Sequence, residues 1–401
     1  MIHSIARILA LAGAAGSVAS LGYYLLCLWS AAAFLRRRGM ADEAARPAVP
    51  LPPVSILKPL KGVDPEMYEN FRSHCVQDYG EYEIIFGVSD RNDPAITEVE
   101  RLQKDFPQRP IQLVVCEENL GVNTKVSALA QMLRRAGYDH LVVNDSDIRV
   151  TPGYLRSVIA PLVAGDRAIS ESSTRSGRVG LVTCLYRGVP SPTLGSRLES
   201  LGISTDFCAG VLAAQQLEGG IRFGLGSTLA FRRADLQAAG GFEAFADYLA
   251  DDYQLGHQLT AHGLQGKLSE TVVETFLPPY TLREFMRHQL RWARTLRASR
   301  PAGYAGLVLT FGLCWALLAL LSSSAAPWAW GLLAAVAVAR VAVAVAVGRF
   351  VLQDRRMLPL LILLPLRDVI ALFIWAASFA GSKVQWRGDA FVLRNGKLAK
   401  L

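Results

Sequence analysis

The stretch HLVVNDSD, from His140 to Asp147, decides the fold, because a hydrophobic strand runs directly into two carboxylates. Asp145 and Asp147 lie two positions apart where this strand ends, and Thr151-Pro152 then marks the start of a helix. In a largely parallel sheet, ligands bind outside the carboxyl ends of the strands. The stretch therefore predicts an α/β domain with a ligand site at this strand end.

Other β-rich runs alternate with amphipathic segments around this stretch. They are VSILKPLKG (Val54 to Gly62), YEIIFGVSD (Tyr82 to Asp90), IQLVV (Ile111 to Val115) and SETVVETF (Ser269 to Phe276). Alternation of this kind predicts a mainly parallel sheet with crossover helices, which we place at residues 54–280. Asp90 also falls at a strand end. The region from Gly180 to Gly226 fits either the part of a ligand site that holds the group-accepting substrate beside the membrane, or ordinary core and turns. We assign it no catalytic role.

Asp145 and Asp147 are the candidate metal ligands. Two carboxylates at this spacing can hold one hard divalent cation, Mg²⁺ or Mn²⁺, and that cation can neutralise a diphosphate. The pair alone is also typical of a turn or a helix cap. Its position at a junction between strand and loop favours the metal site.

A second acidic pair, Asp251-Asp252, opens or lies within an amphipathic helix that runs to Gly263. Group transfer to a hydroxyl needs a carboxylate that takes the acceptor's proton and is not consumed by a metal. Asp252 is the candidate base. The alternative is an acid held at a helix amino terminus by the helix macrodipole.

Composition indicates that part of the chain lies in lipid, since 51% of the 401 residues are hydrophobic and 19% are charged. The apolar run from Ile8 to Leu35 is long enough to cross a bilayer and is followed by Arg36, Arg37 and Arg38. A cleaved signal peptide would be shorter, with its basic residues on the other side. We expect a retained anchor at residues 1–38, with the amino terminus outside and the remainder cytosolic.

The net charge of +8 also fits a lipid bilayer, because the basic residues concentrate beside apolar segments. We therefore expect contact with anionic headgroups and no nucleic acid partner. The six cysteines form no C-x-x-C pair, so they signal neither a disulfide framework nor a zinc site.

After an Ala- and Pro-rich linker at residues 39–53 and the α/β domain, residues 281–300 read as an amphipathic helix at the membrane interface. Thr281 and Glu284 form a capping-box signature at its start. An ordinary solvated helix is the weaker interpretation, because lipid-like sequence follows directly.

Residues 301–381 form the expected carboxyl-terminal transmembrane region. Two spans are clear, about Ala302 to Leu321 and about Pro327 to Val347. Arg340 in the second span either holds an acceptor headgroup or, as we favour, snorkels to the cytosolic face. The segment from Met357 to Ala380 is interrupted by Pro365, Arg367 and Asp368, so it is a third span or a re-entrant pair. A basic tail at residues 382–401 prefers the cytosol and favours the re-entrant form.

The interfacial helix also carries His288-Gln289-Leu290-Arg291-Trp292. Arg291 can stabilise a departing diphosphate, and Trp292 can support a sugar ring. Taken alone, both residues are equally typical of membrane anchors.

The order KPLKGVD, VSD, GVNTK, NDSD, ADD and HQLRW, before transmembrane spans, resembles the family-2-like inverting glycosyltransferases with a GT-A fold. The resemblance is to the ceramide glucosyltransferase group, including related bacterial hopanoid-associated enzymes, and it covers almost the whole chain. The group's three aspartates and (Q/R)-x-x-R-W element map onto Asp64, Asp145, Asp252 and the run from His288 to Trp292. His288 stands where Gln or Arg is usual.

The resemblance implies a role for each matching residue. Asp64 and Asp90 would line the nucleotide pocket, with Lys125 near the nucleotide. Asp145 and Asp147 would hold the diphosphate and the metal, and Asp252 would be the base. The catalytic element on the interfacial helix would comprise His288, Gln289, Arg291 and Trp292.

The resemblance also implies the partners. The donor would be a UDP-sugar and the acceptor a membrane lipid, with glucose and ceramide the usual pair. A hopanoid acceptor with UDP-N-acetylglucosamine is the close alternative. Processive polysaccharide synthesis generally needs more spans, and the acidic positions argue against a non-catalytic sensor. We expect a multi-pass membrane protein whose catalytic domain lies on the cytosolic face, at the inner membrane in a bacterium.

Overall fold

A computed structural model describes residues 2–43, 50–171, 177–386, 389–394 and 396–400. Residues 44–49 of the expected linker and Arg387 of the expected tail lie outside this described part.

The α-helices are α1 Ile2–Glu43, α2 Met67–Cys75, α3 Ala95–Asp105, α4 Thr124–Leu133, α5 Tyr154–Glu171, α6 Leu194–Gly202, α7 Cys208–Glu218, α8 Arg233–Ala238, α9 Asp251–Ala261, α10 Leu282–Ser299, α11 Pro301–Gly306, α12 Gly312–Ser322, α13 Pro327–Ala344 and α14 Leu364–Ser378. Short 3-10 helices form at Phe242–Phe245, Leu307–Thr310 and Leu358–Leu363, and π-helical turns at Ile203–Phe207 and Val345–Val351. The strands are β1 Val54–Leu60, β2 Tyr82–Val88, β3 Ile111–Val115, β4 His140–Val143, β5 Ile148–Arg149, β6 Val179–Val189, β7 Leu229–Arg232, β8 Gln265–Phe276, β9 Lys383–Trp386, β10 Asp389–Arg394 and β11 Lys397–Lys400.

The chain divides into two compact units. The sheet unit comprises residues 41–189, 217–278 and 390–401, and the helical unit comprises residues 1–40, 190–216 and 279–389. Residues 190–216, which the sequence placed within the α/β domain, thus group with the helical unit.

The sheet unit is built on eight strands in the order β3-β2-β1-β4-β7-β6-β8-β5. β1 lies parallel to β2 and to β4, and β2 lies parallel to β3. The strands β1 and β2 are buried along their whole length, as expected for apolar runs covered on both faces. The predicted α/β class with a mainly parallel sheet is confirmed.

Strands β6 and β7 fall in or next to a region that the sequence left as core and turns. β6 is almost entirely buried, pairs parallel with β8 and antiparallel with β7, and β7 pairs antiparallel with β4. These strands extend the sheet beyond β4. Their partners are distant in sequence, so local pattern did not predict them.

The expected basic tail contains β-structure. β10 and β11 pair antiparallel, and the backbone N–H of Leu398 donates to the carbonyl of Asp247 at 2.7 Å. This contact ties the chain end to the sheet unit.

Among the residues that the structure describes, three helices are long and apolar enough to cross a membrane: His3–Met40, Pro327–Val351 and Leu358–Ser378. The segments Pro301–Thr310 and Gly312–Ser322 meet at a bend of 51°. This bend falls in the first carboxyl-terminal span, which was expected to be continuous. The segment favoured as re-entrant instead consists of the 3-10 helix Leu358–Leu363 running directly into α14, and together they are long enough to span a membrane. Pro365 lies in the first turn of α14, where a missing N–H breaks no helical hydrogen bond.

The sequence favoured an Arg340 side chain that snorkels to the cytosolic face. The structure instead buries that side chain among polar partners. The side chain is 3% exposed, its Nε donates to Asp368 Oδ2 at 3.0 Å, and its Nη1 donates to the carbonyl of Thr205 at 3.0 Å. Its guanidinium also pairs with Asp206. Ion pairs inside the unit replace the polar environment that snorkelling would have supplied.

The amphipathic helix is confirmed as α10. The backbone N–H of Glu284 donates to Thr281 Oγ1 at 3.2 Å, and Glu284 accepts from the N–H of Thr281 at 2.8 Å. These two bonds are the predicted capping box.

Candidate functional site

Two of the candidate acidic residues follow neighbouring parallel strands. Asp145 follows β4, and Asp64 follows the neighbouring β1. The hydroxyl of Ser146 donates to Asp64 Oδ2 and joins the two loops. Asp64 therefore lies next to the Asp145 loop, and its assignment to the nucleotide pocket stays a prediction.

Gly226 shows that Asp145 and Asp252 face one space. A Cβ at Gly226 would lie 2.7 Å from Asp145 Oδ2 and 3.3 Å from Asp252 Oδ2. Both carboxylate oxygens thus lie within 3.3 Å of a single point beside the backbone. Two carboxylates more than a hundred residues apart in sequence therefore face the same space. Gly226, which has no side chain, leaves that space unfilled.

Lys125 joins the two acidic segments. Its Nζ lies 2.8 Å from Asp145 Oδ1 and 3.3 Å from Asp251 Oδ2, and its side chain is 9% exposed. Burial disfavours the ammonium, but the charges of Asp145, Asp251 and Asp252 outweigh burial and raise the pKa of Lys125. The lysine therefore balances this cluster as a cation, and the cluster includes Asp251, which the sequence named without giving it a role.

Asn123 positions Lys125. Its Oδ1 accepts from the backbone N–H groups of Lys125 and Val126 at 3.0 and 3.2 Å, which caps α4. Its Nδ2 donates to the carbonyl of Tyr248 at 2.7 Å. The GVNTK motif is therefore a helix cap that directs a lysine towards the carboxylates.

We expect Asn123→Ala to lower the free energy of unfolding by about 1–3 kcal/mol, because it removes a helix cap and leaves the half-buried carbonyl of Tyr248 without this donor. Denaturant unfolding of the purified protein measures this. The matched control is Asn92→Ala at an exposed asparagine, with an expected change within about 0.5 kcal/mol. Equal stability of the two variants would contradict the role of Asn123.

Asp147 is held beside Asp145 by strand β8. Its Oδ2 accepts from Thr275 Oγ1 at 2.5 Å. Burial, and then the charge of Asp145, raises the pKa of Asp147 to about 7, against the hydrogen bond from Thr275. Crowded carboxylates of this kind are stabilised by a cation.

Asp252 opens α9, in its first turn, as the sequence allowed. Burial raises the pKa of Asp252 to about 6, the charge of Asp251 acts in the same direction, and Lys125 opposes both. A carboxylate with a raised pKa is a better proton acceptor than an ordinary surface aspartate. The role of Asp252 as the base stays a prediction.

Lys58 is a site residue that sequence reasoning missed. It is fully buried, and its Nζ donates to the carbonyl of Asp145 at 3.0 Å. Burial lowers the pKa of Lys58 to about 7, while Asp147, Asp145 and Asp64 oppose that shift. A lysine inside an otherwise mostly apolar strand, VSILKPL, was the available signal.

Asp90 behaves differently from the other acids. It is exposed, and its Oδ1 accepts from the backbone N–H of Asn92 at 2.8 Å. The neighbouring Asp93 instead receives the backbone N–H of Gly62 at 3.0 Å and so ties the loops after β1 and β2 together. The assignment of Asp90 to the nucleotide pocket stays a prediction.

The carboxylates of Asp145 and Asp147 fit a divalent cation that the phosphates of a substrate would also bind. Within the described ranges, no group of three or more His, Cys, Asp or Glu side chains could hold a metal ion. Mg²⁺ in particular is usually held by one or two carboxylates together with substrate phosphates. Asp145 and Asp147 supply two carboxylates, with Asp145 side-chain exposure of 42% on the open side.

The predicted catalytic element of α10 lies in the helical unit. His288 Nδ1 lies 3.4 Å from Glu199 Oε1, and Gln289 Nε2 donates to Glu199 Oε2 at 2.8 Å. Burial alone would raise the pKa of Glu199, but His288 holds it below its usual range. Arg291 and Trp292 are half-buried, and their catalytic roles stay predictions.

A sequence model described as glycosyl transferase family 21 matches residues 13–399. Ceramide glucosyltransferase 1 of Caenorhabditis elegans is 24% identical over 273 residues, which cover 66% of this chain and 56% of the relative. A ceramide glucosyltransferase of Komagataella phaffii is 32% identical over 180 residues, which cover 41% of this chain and 35% of the relative. The chain thus spans about half the length, or less, of these curated relatives.

Among solved structures, a mannosyltransferase from Pyrobaculum calidifontis in complex with GDP-Man and Mn²⁺ aligns with a TM-score of 0.49 and 20% identity. The alignment covers 94% of this chain and 99% of that chain.

Proposed function

Because the chain belongs to glycosyl transferase family 21, we propose that it transfers a sugar from a UDP-sugar to a membrane lipid, with inversion at the anomeric carbon. We further propose glucose as the sugar and ceramide as the lipid, giving β-glucosylceramide. The names of the relatives support this pair. The meeting of Asp145 and Asp252 beside Gly226 is the observation that carries the proposal.

The reaction is a single in-line displacement. Asp252 takes the proton of the acceptor hydroxyl as the oxygen bonds to the anomeric carbon. The bond from that carbon to the diphosphate oxygen breaks, and UDP leaves with the electron pair. An α-linked donor then gives a β-linked product, because the acceptor enters opposite the leaving group.

Asp145 and Asp147 are the residues that would hold a divalent cation, Mg²⁺ or Mn²⁺. When bound, the cation neutralises charge on the leaving diphosphate. Lys125 pairs with Asp145 Oδ1 and with Asp251 Oδ2. This arrangement supports a donor-side role for Asp145 and Asp147, with Asp252 left to take the acceptor's proton.

The proposed location is a membrane with the sheet unit on its cytosolic face. Three helices of spanning length support the membrane, and the arginines after the first apolar run support the orientation. The acceptor would then be taken from the cytosolic leaflet.

Purified protein is incubated with vesicles containing ceramide and with UDP-glucose, UDP-galactose or UDP-N-acetylglucosamine in separate reactions. We expect one hexose on ceramide with UDP-glucose, identified by mass spectrometry and by cleavage with a β-glucosidase. A hopanoid-containing vesicle serves as the competing acceptor. Absence of any glycosylated lipid in all combinations would contradict the proposed function.

Removal of divalent cations tests the metal assignment. We expect excess chelator to stop turnover, because an unneutralised diphosphate is a poor leaving group, and added Mg²⁺ or Mn²⁺ to restore it. Chelator loaded beforehand with the same cation is the control. Full activity in excess free chelator would exclude a required metal at Asp145 and Asp147.

A further inference from the structure

A continuous row of polar contacts in the helical unit joins α6, α10, α14 and α13. It begins at Glu199 of α6, whose side chain is 1% exposed and whose two oxygens face His288 and Gln289 at 3.4 and 2.8 Å. One buried carboxylate therefore engages two consecutive side chains of α10. Such a pair of contacts fixes the rotation of a helix about its axis.

The row continues through Gln289 to α14. Gln289 Oε1 accepts from Arg367 Nη2 at 3.0 Å, and the same guanidinium nitrogen lies 3.6 Å from Asp206 Oδ2. Asp206 and Asp368 in turn pair with Arg340 of α13. Gln289 thus contacts α6 and α14 directly, and it is linked to α13 through Arg367 and Asp206.

Burying Glu199, Arg340, Arg367 and Asp368 is costly in a unit whose helices are long and apolar enough to span a membrane, whereas the Asp206 side chain is 35% exposed. The row contains three carboxylates (Glu199, Asp206 and Asp368) and two guanidiniums (Arg340 and Arg367). Replacing buried ion pairs by apolar residues is often neutral or stabilising, so stability alone does not explain such a row. Ionisable residues within membrane segments generally mark function.

The surrounding backbone accommodates the row. A Cβ at Gly202 would lie 2.6 Å from both Nε and Nη2 of Arg367. A glycine at the end of α6 therefore lets the guanidinium approach the backbone. Close packing against Gly202, as well as charge, therefore fixes the position of the Arg367 guanidinium.

Aromatic rings lie along the same side of α10. Tyr280 stacks on His288 with ring centroids 5.3 Å apart, and His288 lies 5.2 Å from Trp292. Phe207 lies 6.0 Å from Trp292. His288 therefore lies between Glu199 and the ring of Trp292.

We propose that Glu199, supported by Arg367, is a positioning residue that sets the orientation of the segment from His288 to Trp292. The inference rests on the proposed function, in which that segment serves sugar transfer. Glu199 acts through His288 and Gln289 and does not itself touch substrate.

The variants Glu199→Ala, Glu199→Gln and Arg367→Met test this in the full-length protein. We expect Glu199→Ala and Arg367→Met to lower kcat on the order of 100-fold with little change in KM for the UDP-sugar. Glu199→Gln keeps an acceptor for Gln289 and should recover part of the loss. The matched control is Trp375→Phe, on the same helix as Arg367, which loses one hydrogen bond to the carbonyl of Tyr304 and should keep wild-type kcat.

A second measurement does not depend on turnover. The contribution of Trp292 to fluorescence is the emission of each variant minus that of its Trp292→Phe double variant. We expect this contribution to shift in Glu199→Ala and Arg367→Met and to stay unchanged in Trp375→Phe. Unshifted emission in both variants, or wild-type kcat in both, would overturn the positioning role. An inactive wild-type protein would contradict the proposed function instead, and the fluorescence result would still decide the role of Glu199.

Discussion

Asp252→Asn is expected to lower kcat by about 100- to 10,000-fold, since a general base contributes that much to proton transfer. The amide keeps the shape of the side chain but cannot take the acceptor's proton. Donor affinity should change little, because Lys125 and Asp145 remain in place. Initial rates with a labelled UDP-sugar, together with UDP binding measured by calorimetry, separate the two effects.

The matched control is Glu98→Gln, which removes a first-turn acid from α3 and so repeats the loss of a helix-terminal charge away from the acidic cluster. It should retain wild-type turnover. If Asp252→Asn turned over as fast as this control, Asp252 would be only a helix-terminal acid.

Gly226→Ala is expected to lower kcat on the order of 100-fold without unfolding the protein. The added Cβ would lie 2.7 Å from Asp145 Oδ2 and 3.3 Å from Asp252 Oδ2, so at least one carboxylate must move away. Side-chain ends move at small cost, and we expect the free energy of unfolding to change by about 1 kcal/mol or less. Kinetics and denaturant unfolding measure the two quantities.

Gly153→Ala is the control for the added methyl group, because a Cβ there meets nothing within 4 Å. We expect it to keep wild-type kcat. Normal activity of Gly226→Ala would show that the space between Asp145 and Asp252 plays no part in catalysis.

Local pattern was sufficient for the features that depend on neighbours in sequence. The apolar runs before Asp64 and Asp145 predicted β1 and β4, and Thr281 with Glu284 predicted the start of α10. These features follow from periodicity, capping and strand ends, which act within a few residues.

Features that depend on distant partners were not predictable in this way. Lys58 is buried beneath acids that come about ninety positions later, and Glu199 meets α10 about ninety positions later. Arg340 looked like a snorkelling residue because its partners, Asp206 and Asp368, lie on other helices. A single sequence does not show which buried charges will meet.

The membrane segments show the same limit. Pro365, Arg367 and Asp368 suggested a broken segment, yet Pro365 falls in a first helical turn and both charged residues find partners. The span without such residues, near Pro301–Thr310 and Gly312–Ser322, is the one that bends. Composition predicted where apolar helices lie but not where they break.

The most direct test of the central claim is an electron cryomicroscopy structure of the protein with UDP and Mn²⁺. We predict a cation bound by Asp145 and Asp147 and by the diphosphate, with the Asp252 carboxylate facing the same space beside Gly226. Nucleotide bound elsewhere, or Asp252 directed into a separate environment, would contradict the account.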